Sequence, residues 1–284
     1  MNTFRSLLIS APHPINYSKL LNTYHYSLIL IGILVISGCS TTTKESFTFQ
    51  ADIPDNFTVD ATAYYVPAPG VTCKDPSGKE RQGPGRVFFK SERPRGTKPI
   101  EFKVPLTDTA HGCSTVLDSL GLDVEGQWGQ RDLDMSKSFK GLSISNETSV
   151  KLPRLPASEP LVFEGQCQWY FRTVGSQRFI RKILKCGSLH THKELRTALI
   201  NGSLPRDQLT GKTVKLVLTE EEKEKPYYRG WWHETPEGWK ACTGLWGTNN
   251  EEPCIRPYKF LKSFKMPDGR SCTVYPNCNE QGSK

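Results

Sequence analysis

The sequence predicts a mainly β protein with short helices, a β-rich α+β fold arranged as two small disulfide-stapled domains. Proline (20 residues) and glycine (23 residues) are scattered throughout the chain, and apolar runs at helical spacing are few. Short runs of β-branched and aromatic residues are instead separated by turn-forming residues, a pattern typical of many short strands. Eight cysteines follow Cys39, and an even set of cysteines favours disulfide bonds in an exported chain.

The N-terminal segment predicts export. Residues 27–38 (SLILIGILVISG) form an apolar run that is too short to cross a bilayer comfortably as a helix. The run ends in Ile36-Ser37-Gly38, a branched aliphatic residue and two small residues that precede Cys39. Residues 1–38 are therefore predicted to be a signal peptide. An ordinary cleaved signal and an uncleaved signal anchor are the alternatives, and both export the residues that follow.

These residues resemble the lipobox of bacterial lipoproteins. The resemblance implies that Cys39 is the lipid attachment site, carrying acyl chains such as palmitate, and that residues 39–46 are a lipidated tether. Ser40 stands where lipoproteins retained at the inner membrane of some envelopes carry aspartate. The resemblance thus implies a lipid anchor in the bacterial envelope, at the outer membrane and facing the periplasm.

The charge balance leaves several partner classes open. Cleavage before Cys39 would remove 38 of the 284 residues and leave a mature chain of 246. This mature chain has 35 Lys and Arg against 29 Asp and Glu, a net charge of +6, whereas the whole chain has +8. Such a balance suits anionic headgroups, a polyanionic envelope surface or an acidic partner, and it also serves solubility alone. Nucleic acid is not expected, because the chain is exported and its basic residues are interspersed with acidic ones.

The predicted N-terminal β-rich domain covers residues 47–150. Strands are expected at 47–49, 57–59, 63–66, 86–89, 100–104 and 141–144, with the apolar strand at 86–89 buried. Residues 114–120 (STVLDSL) predict a short helix with Ser114 as N-cap and Gly121 at its end. Three prolines within residues 150–160 (VKLPRLPASEP) predict a linker over 151–160.

The predicted C-terminal β-rich domain covers residues 161–284. Strands are expected at 161–163, 167–171, 179–184 and 213–218. Thr191 and Glu194 form a capping box that predicts a helix from about His192 to Ile200. The charged residues 220–225 are expected to form the tip of a long hairpin whose second strand is the aromatic segment 227–232.

The two halves share an order of cysteine, strands, cysteine, short capped helix and strand, which raises the hypothesis of an internal duplication. The simplest disulfide pairing then joins neighbours: Cys73 with Cys113, Cys167 with Cys186, Cys242 with Cys254, and Cys272 with Cys278. Eight cysteines allow about a hundred connectivities, so the spacing alone leaves the others open.

No pattern in the sequence predicts catalysis, a metal site or a cofactor. The mature histidines are expected to have surface or structural roles; they are His111, His190, His192 and His233. The chain has no Gly-x-Ser-x-Gly turn, and Gly211-Lys212-Thr213 lacks the earlier glycine and the following helix of a phosphate loop. The sequence therefore favours a protein that is not an enzyme.

A binding surface is the better supported prediction. Tyr, Trp and Arg are enriched at interface hot spots because they offer a large contact area and a polar group at little entropic cost. The candidate partner-binding residues lie within one short segment: Tyr227, Tyr228, Arg229, Trp231 and Trp232. Because a disulfide-rich domain also uses aromatic residues in its core, some of them are expected to be buried.

The lipobox at Cys39, the cysteine-rich mature chain and the lack of a catalytic pattern resemble the periplasmic lipoprotein immunity proteins that neutralise lipase effectors of the type VI secretion system. The resemblance implies a protein partner, a secreted phospholipase or lipase effector, which the anchored protein would inhibit by occlusion. An envelope structural or assembly lipoprotein and a glycan-binding module are the alternatives, followed by a metal hydrolase.

Overall fold

A computed structural model describes residues 44–75, 77–80, 85–91, 99–110, 112–146, 155, 157, 160–188, 203–242, 254 and 261–278. Lys44–Lys284 form one compact unit. The predicted signal peptide and Cys39 lie outside the described residues, so export and lipidation stay predictions. Within the described residues, no helix is long and apolar enough to cross a membrane.

The described part of the chain is β-rich and contains no helix of seven or more residues. Single 3-10 turns occur at Arg206–Gln208 and Arg229–Trp231. The strands are β1 (Ser46–Asp52), β2 (Phe57–Pro67), β3 (Gly85–Phe89), β4 (Ile100–Pro105), β5 (Thr107–Ala110), β6 (Cys113–Gln127), β7 (Met135–Ser145), β8 (Leu161–Val174), β9 (Phe179–Ser188), β10 (Ser203–Pro205), β11 (Thr213–Pro226), β12 (Trp232–Thr235), β13 (Gly238–Ala241), β14 (Phe264–Lys265) and β15 (Ser271–Cys272).

These strands form two large sheets and a hairpin. The seven-stranded sheet has the order β15-β14-β9-β8-β11-β1-β4, and the six-stranded sheet has the order β10-β7-β6-β2-β3 with β5 paired to β6. Strands β12 and β13 form the hairpin. Within the first sheet β11 runs parallel to both β1 and β8, whereas β8 and β9 are antiparallel.

The main core lies between the inner faces of the two large sheets. Burial alternates along β1 and β2, as expected for strands with one face on a core. The core joins Phe49 of β1 and Leu216 of β11 to Val59 of β2 and Leu122 of β6. Each of these four side chains is at most 1% exposed, so the sheets are held together by continuous apolar packing.

A second, smaller core is separate from the first. It contains Phe171 of β8, Trp232 of β12, Phe264 of β14 and Tyr275. The ring of Phe171 lies 4.1 Å from that of Tyr275 and 4.8 Å from that of Trp232, measured between ring centroids. This aromatic packing fixes the hairpin and the C-terminal strands against β8.

The predicted disulfide pairing is confirmed. The four bonds are Cys73–Cys113, Cys167–Cys186, Cys242–Cys254 and Cys272–Cys278. Cys167 and Cys186 occupy paired positions on β8 and β9, and both are fully buried. This bond therefore links adjacent strands within the first sheet.

The helix expected over residues 114–120 is wrong, because these residues belong to β6. Thr115, Leu117 and Leu120 are buried, and the segment pairs with β2 on one side and β5 on the other. Cross-strand pairing thus outweighs the capping signal of Ser114. Gly121 does not end a helix; it lies mid-strand, opposite Gly141 of β7. The helix expected from about His192 to Ile200 lies outside the described residues.

Two further strand expectations are wrong. Residues 220–225 are not a hairpin tip, because β11 continues through them and pairs in parallel with β8. The strand at 86–89, which was expected to be buried, alternates between exposed and half-buried side chains, and Phe88 on its outer face is 67% exposed. Burial there follows the two-residue period of a strand at a sheet edge.

The structure has one compact unit from Lys44 onward where the sequence predicts two domains over 47–150 and 161–284. Strands β1 and β4 from the first half share a sheet with β8, β9 and β11 from the second. Most of the linker predicted over 151–160 lies outside the described residues. The duplication hypothesis required a short capped helix in each half. The first half lacks this helix, because residues 114–120 belong to β6.

Candidate functional site

The five predicted partner-binding residues follow the end of β11, and the structure separates them into two groups. Trp232 is 5% exposed and belongs to the second core, as the sequence analysis expected for some of these aromatic residues. Tyr227, Tyr228 and Trp231 are half-buried, and the Arg229 side chain is 86% exposed. The 3-10 turn at Arg229–Trp231 connects the two groups, and Trp231 at its end also packs against the second core.

Tyr227, Tyr228 and Trp231 form a continuous series of ring contacts. The ring centroids of Tyr227 and Tyr228 are 4.8 Å apart with an edge-to-face geometry, and those of Tyr228 and Trp231 are 4.5 Å apart. Tyr170 of β8 extends the series, with its ring 6.3 Å from that of Tyr227. These four residues are called the aromatic surface below.

Two basic side chains of neighbouring strands lie over the aromatic surface. The Lys185 Nζ is 4.8 Å from the Tyr170 ring centroid and 4.2 Å from that of Tyr227. The Arg172 guanidinium carbon is 5.7 Å from the Tyr227 ring centroid. Because a cation is attracted to the face of an aromatic ring, these contacts order both the rings and the charges.

Sequence reasoning missed Tyr170, Arg172 and Lys185 because they reach the site through strand pairing. Strand β11 lies beside β8 in a parallel arrangement that no local signal predicts, since parallel partners are distant in sequence. The Cys167–Cys186 bond was the available signal. With those two cysteines opposite each other on antiparallel strands, Lys185 falls opposite Gln168, two residues from Tyr170.

A cleft of about 670 Å³ lies near the second core. Its lining includes Trp128, Ile180, Lys182, Glu224, Trp239 and Tyr275. The volume is within the range of small-molecule sites. The cleft was not anticipated from the sequence, because its walls come from turns and strands spread over much of the chain.

Lys182, Glu224 and Tyr275 form a polar array in this cleft. The Lys182 ammonium pairs with one oxygen of Glu224, and the Tyr275 hydroxyl donates a hydrogen bond to the other. Burial, and then the negative charge of Glu224, raise the pKa of Tyr275 well above its ordinary value. Tyr275 therefore stays protonated and donates a hydrogen bond, so it is better suited to orient Glu224 than to act as a general base.

The histidines provide no metal-binding cluster within the described part of the chain. His233 lies on β12 opposite Lys240 of β13, and His111, His190 and His192 fall outside the described residues. Among the residues that the structure describes, no three His, Cys, Asp or Glu side chains are grouped as a metal site.

No family model, no curated protein and no solved structure matches this chain.

Proposed function

We propose that this chain is a lipid-anchored binding protein of the bacterial envelope that recognises a protein partner through the aromatic surface. In its specific form, the proposal is an immunity protein that binds and inhibits a secreted lipase effector. The observation that carries the proposal is the series of ring contacts from Tyr170 through Tyr227 and Tyr228 to Trp231. These rings stay partly exposed while the neighbouring Trp232 is buried.

The rings are suited to binding because the fold already fixes their positions. Phe171, directly between Tyr170 and Arg172 in sequence, is fully buried in the second core and anchors that part of β8. The backbone N–H of Tyr227 donates to the Phe171 carbonyl at 2.8 Å, which attaches the end of β11 to β8. Pre-ordered side chains lose little entropy on association, so more of their contact energy appears as affinity.

The aromatic surface lies far along β11 from the first residue that the structure describes. Thr213 at the start of β11 pairs with Thr48, close to the point where the described chain begins at Lys44. Tyr227 follows the other end of this strand. At about 3.3 Å per residue, a strand of this length separates the two ends by roughly 40 Å. Lys44 and the aromatic surface therefore lie toward opposite ends of the long strands.

Capture of a partner tests this proposal. Residues 45–284, exported with a cleavable signal so that the disulfides form, serve as bait for exported proteins of the same organism, including any toxic lipase. We expect capture of a lipase with loss of its activity. A Tyr228→Ala/Trp231→Ala variant should lose capture, whereas Phe88→Ala, which removes an exposed ring from the other sheet, should retain it. Capture of envelope machinery alone, or of no protein, would contradict the proposal.

Glycan binding is the second candidate, favoured by the outer face of the six-stranded sheet. Phe88 and Phe139 on that face are 67% and 69% exposed. Gly121 of β6 and Gly141 of β7 lie opposite each other; an added Cβ at Gly141 would meet no atom within 4 Å, whereas one at Gly121 would lie 3.0 Å from the Tyr64 ring. Strand glycines can mark a place where a ligand approaches the backbone. Saccharide binding that is lost in Phe88→Ala/Phe139→Ala and kept in Tyr228→Ala/Trp231→Ala would favour this candidate.

A further inference from the structure

The cleft near the second core includes a charged group on an otherwise apolar face of β9. Its lining contains Phe171 of β8 and Lys182 of β9, which are cross-strand partners and therefore share one face of the sheet. The neighbouring residues of β9 on that face, Ile180 and Leu184, are 4% and 2% exposed. Lys182 thus interrupts a row of buried apolar side chains where the cleft opens.

Residues from both cores border this cleft. Trp128 packs against the main core, whereas Phe171 and Tyr275 belong to the second core and Trp239 packs against it. The ring centroid of Trp239 lies 6.3 Å from that of Phe171, and both tryptophans are half-buried. The cleft is therefore a gap with aromatic walls. It is separate from the aromatic surface, because Tyr170 and Phe171 are consecutive on β8 and point to opposite faces.

The polar array of Lys182, Glu224 and Tyr275 leaves hydrogen-bonding capacity of both kinds for a ligand. An ammonium group has three N–H donors, and of the residues that the structure describes only Glu224 accepts from Lys182. Each Glu224 oxygen accepts one bond, from Lys182 or Tyr275, although a carboxylate offers about four acceptor positions. The Lys182 and Glu224 side chains are only 18% and 24% exposed. Polar groups at that depth are stabilised by partners that complete their hydrogen bonds.

The carboxylates of the cleft have basic neighbours, so the site is not selective for one sign of charge. Six carboxylates line it: Asp134, Glu222, Glu224, Glu234, Glu237 and Asp268. Four of them lie within 4.0 Å of a cation: Asp134 of Arg131, Glu224 of Lys182, Glu234 of Arg229, and Asp268 of Arg270. Hydrogen bonds lower the pKa of Glu237, and the charge of Lys240 lowers it further. Glu222 is followed by Lys223, which also lines the cleft.

We infer that this cleft binds a short neutral saccharide, whose hydroxyl groups accept from Lys182 and donate to Glu224 while a C–H face of the sugar packs on Trp239. A sugar hydroxyl is both a donor and an acceptor, which matches the two kinds of free position in the array. A purely anionic ligand would be repelled by Glu224, and a purely cationic one by Lys182. The inference does not rest on the proposed function, because that concerns the other face of β8.

Three neutral trisaccharides of different linkage serve as probes: maltotriose, cellotriose and chitotriose. Each is titrated to millimolar concentration into isotope-labelled, oxidised residues 45–284 while backbone amide resonances are followed. We expect at least one probe to produce saturable shifts concentrated at residues 180–184, 222–224, 235–239 and 275. The cationic glucosamine trisaccharide and the anionic trigalacturonate should bind more weakly than that probe.

Matched substitutions test the polar array. Lys182→Met removes the ammonium group and keeps the aliphatic chain, so it should weaken binding roughly tenfold or more, as expected for hydrogen bonds to a charged group. Glu224→Gln keeps the shape of its side chain and should also weaken binding. The control Lys103→Met makes the same change at an exposed lysine of the edge strand β4 and should leave the affinity within about twofold. Phe88→Ala/Phe139→Ala should likewise retain binding. The amide spectrum of each variant shows whether it is folded.

Shifts at the cleft, with losses confined to folded Lys182→Met and Glu224→Gln, would support the inference. No saturable shift with any neutral probe would overturn it, as would an equal loss in Lys103→Met. Shifts concentrated at residues 86–88 and 139–141 would also overturn it and assign saccharide binding to the outer face of the six-stranded sheet. Tighter binding of either charged trisaccharide than of every neutral one would contradict the ligand class.

Discussion

Removal of the Cys167–Cys186 bond should destabilise the protein by an amount set mainly by the loop that it closes. The two cysteines are 19 residues apart, and in the chain-entropy model a loop of this length contributes about 3 kcal/mol at 25 °C. Cys272–Cys278 closes a loop of only 6 residues, for which the same model gives about 2 kcal/mol. All four sulfurs are largely buried, so replacement by alanine leaves similar small cavities at the two sites.

The assay is urea unfolding of the oxidised double variants Cys167→Ala/Cys186→Ala and Cys272→Ala/Cys278→Ala, with free energies from linear extrapolation. We expect losses of about 3 and about 2 kcal/mol, in that order. A smaller loss for the first variant than for the second would refute the assignment of the stabilisation to loop closure. Unchanged stability in the first variant would show that paired strands β8 and β9 are held by other contacts.

Three further changes test other parts of the structure by thermal or urea unfolding. Gly238→Ala should lower the free energy of unfolding by about 2 kcal/mol or more. The φ of +136° at this position disfavours a side chain, and the added Cβ would lie 2.2 Å from the Tyr275 carbonyl oxygen. Unchanged stability would contradict this geometry. Phe171→Ala should cost about 3–5 kcal/mol through loss of ring contacts in the second core, and a loss below about 1 kcal/mol would contradict that role. Hydrogen bonds from Arg131 hold the pKa of Asp134 below its ordinary value of 3.8. The stability that this carboxylate contributes is therefore present above about pH 4 and is lost as the pH falls through its lower pKa in the folded state. Asp134→Asn should make the stability of the protein less dependent on pH below about pH 4, and an unchanged pH profile would contradict this role.

The β-rich fold and the disulfide pairing could be predicted because both follow from local patterns. Alternation from Val214 to Leu218 and the spacing of the cysteines are visible in the printed sequence, and the structure confirms them. The partition into sheets could not be predicted, since β1 pairs in parallel with β11 more than 150 residues later, and such pairings leave no local signal. Residues 114–120 show the same limitation, because their helix capping signal yields to pairing with β2 and β5.

The candidate site was predictable only where its residues are consecutive. Tyr227, Tyr228 and Trp231 stand out by composition, and the structure brings their rings into contact. The burial of Trp232 depends on packing against Phe171, which lies on a distant strand. The contribution of Lys185 depends on the register of β8 and β9, which becomes apparent only once the Cys167–Cys186 bond is known.

The affinity of the captured partner for the native and altered aromatic surface is the most direct test of the central claim. Isothermal titration calorimetry would compare native residues 45–284 with Tyr228→Ala/Trp231→Ala and with the control Phe88→Ala. If the rings of Tyr228 and Trp231 are hot spots, each should contribute about 2 kcal/mol or more, so the double variant should bind at least several hundredfold more weakly. Because Trp231 also packs against the second core, thermal unfolding must first establish that the double variant is folded at the assay temperature. An affinity that is the same for all three proteins would contradict the assignment of partner binding to the aromatic surface.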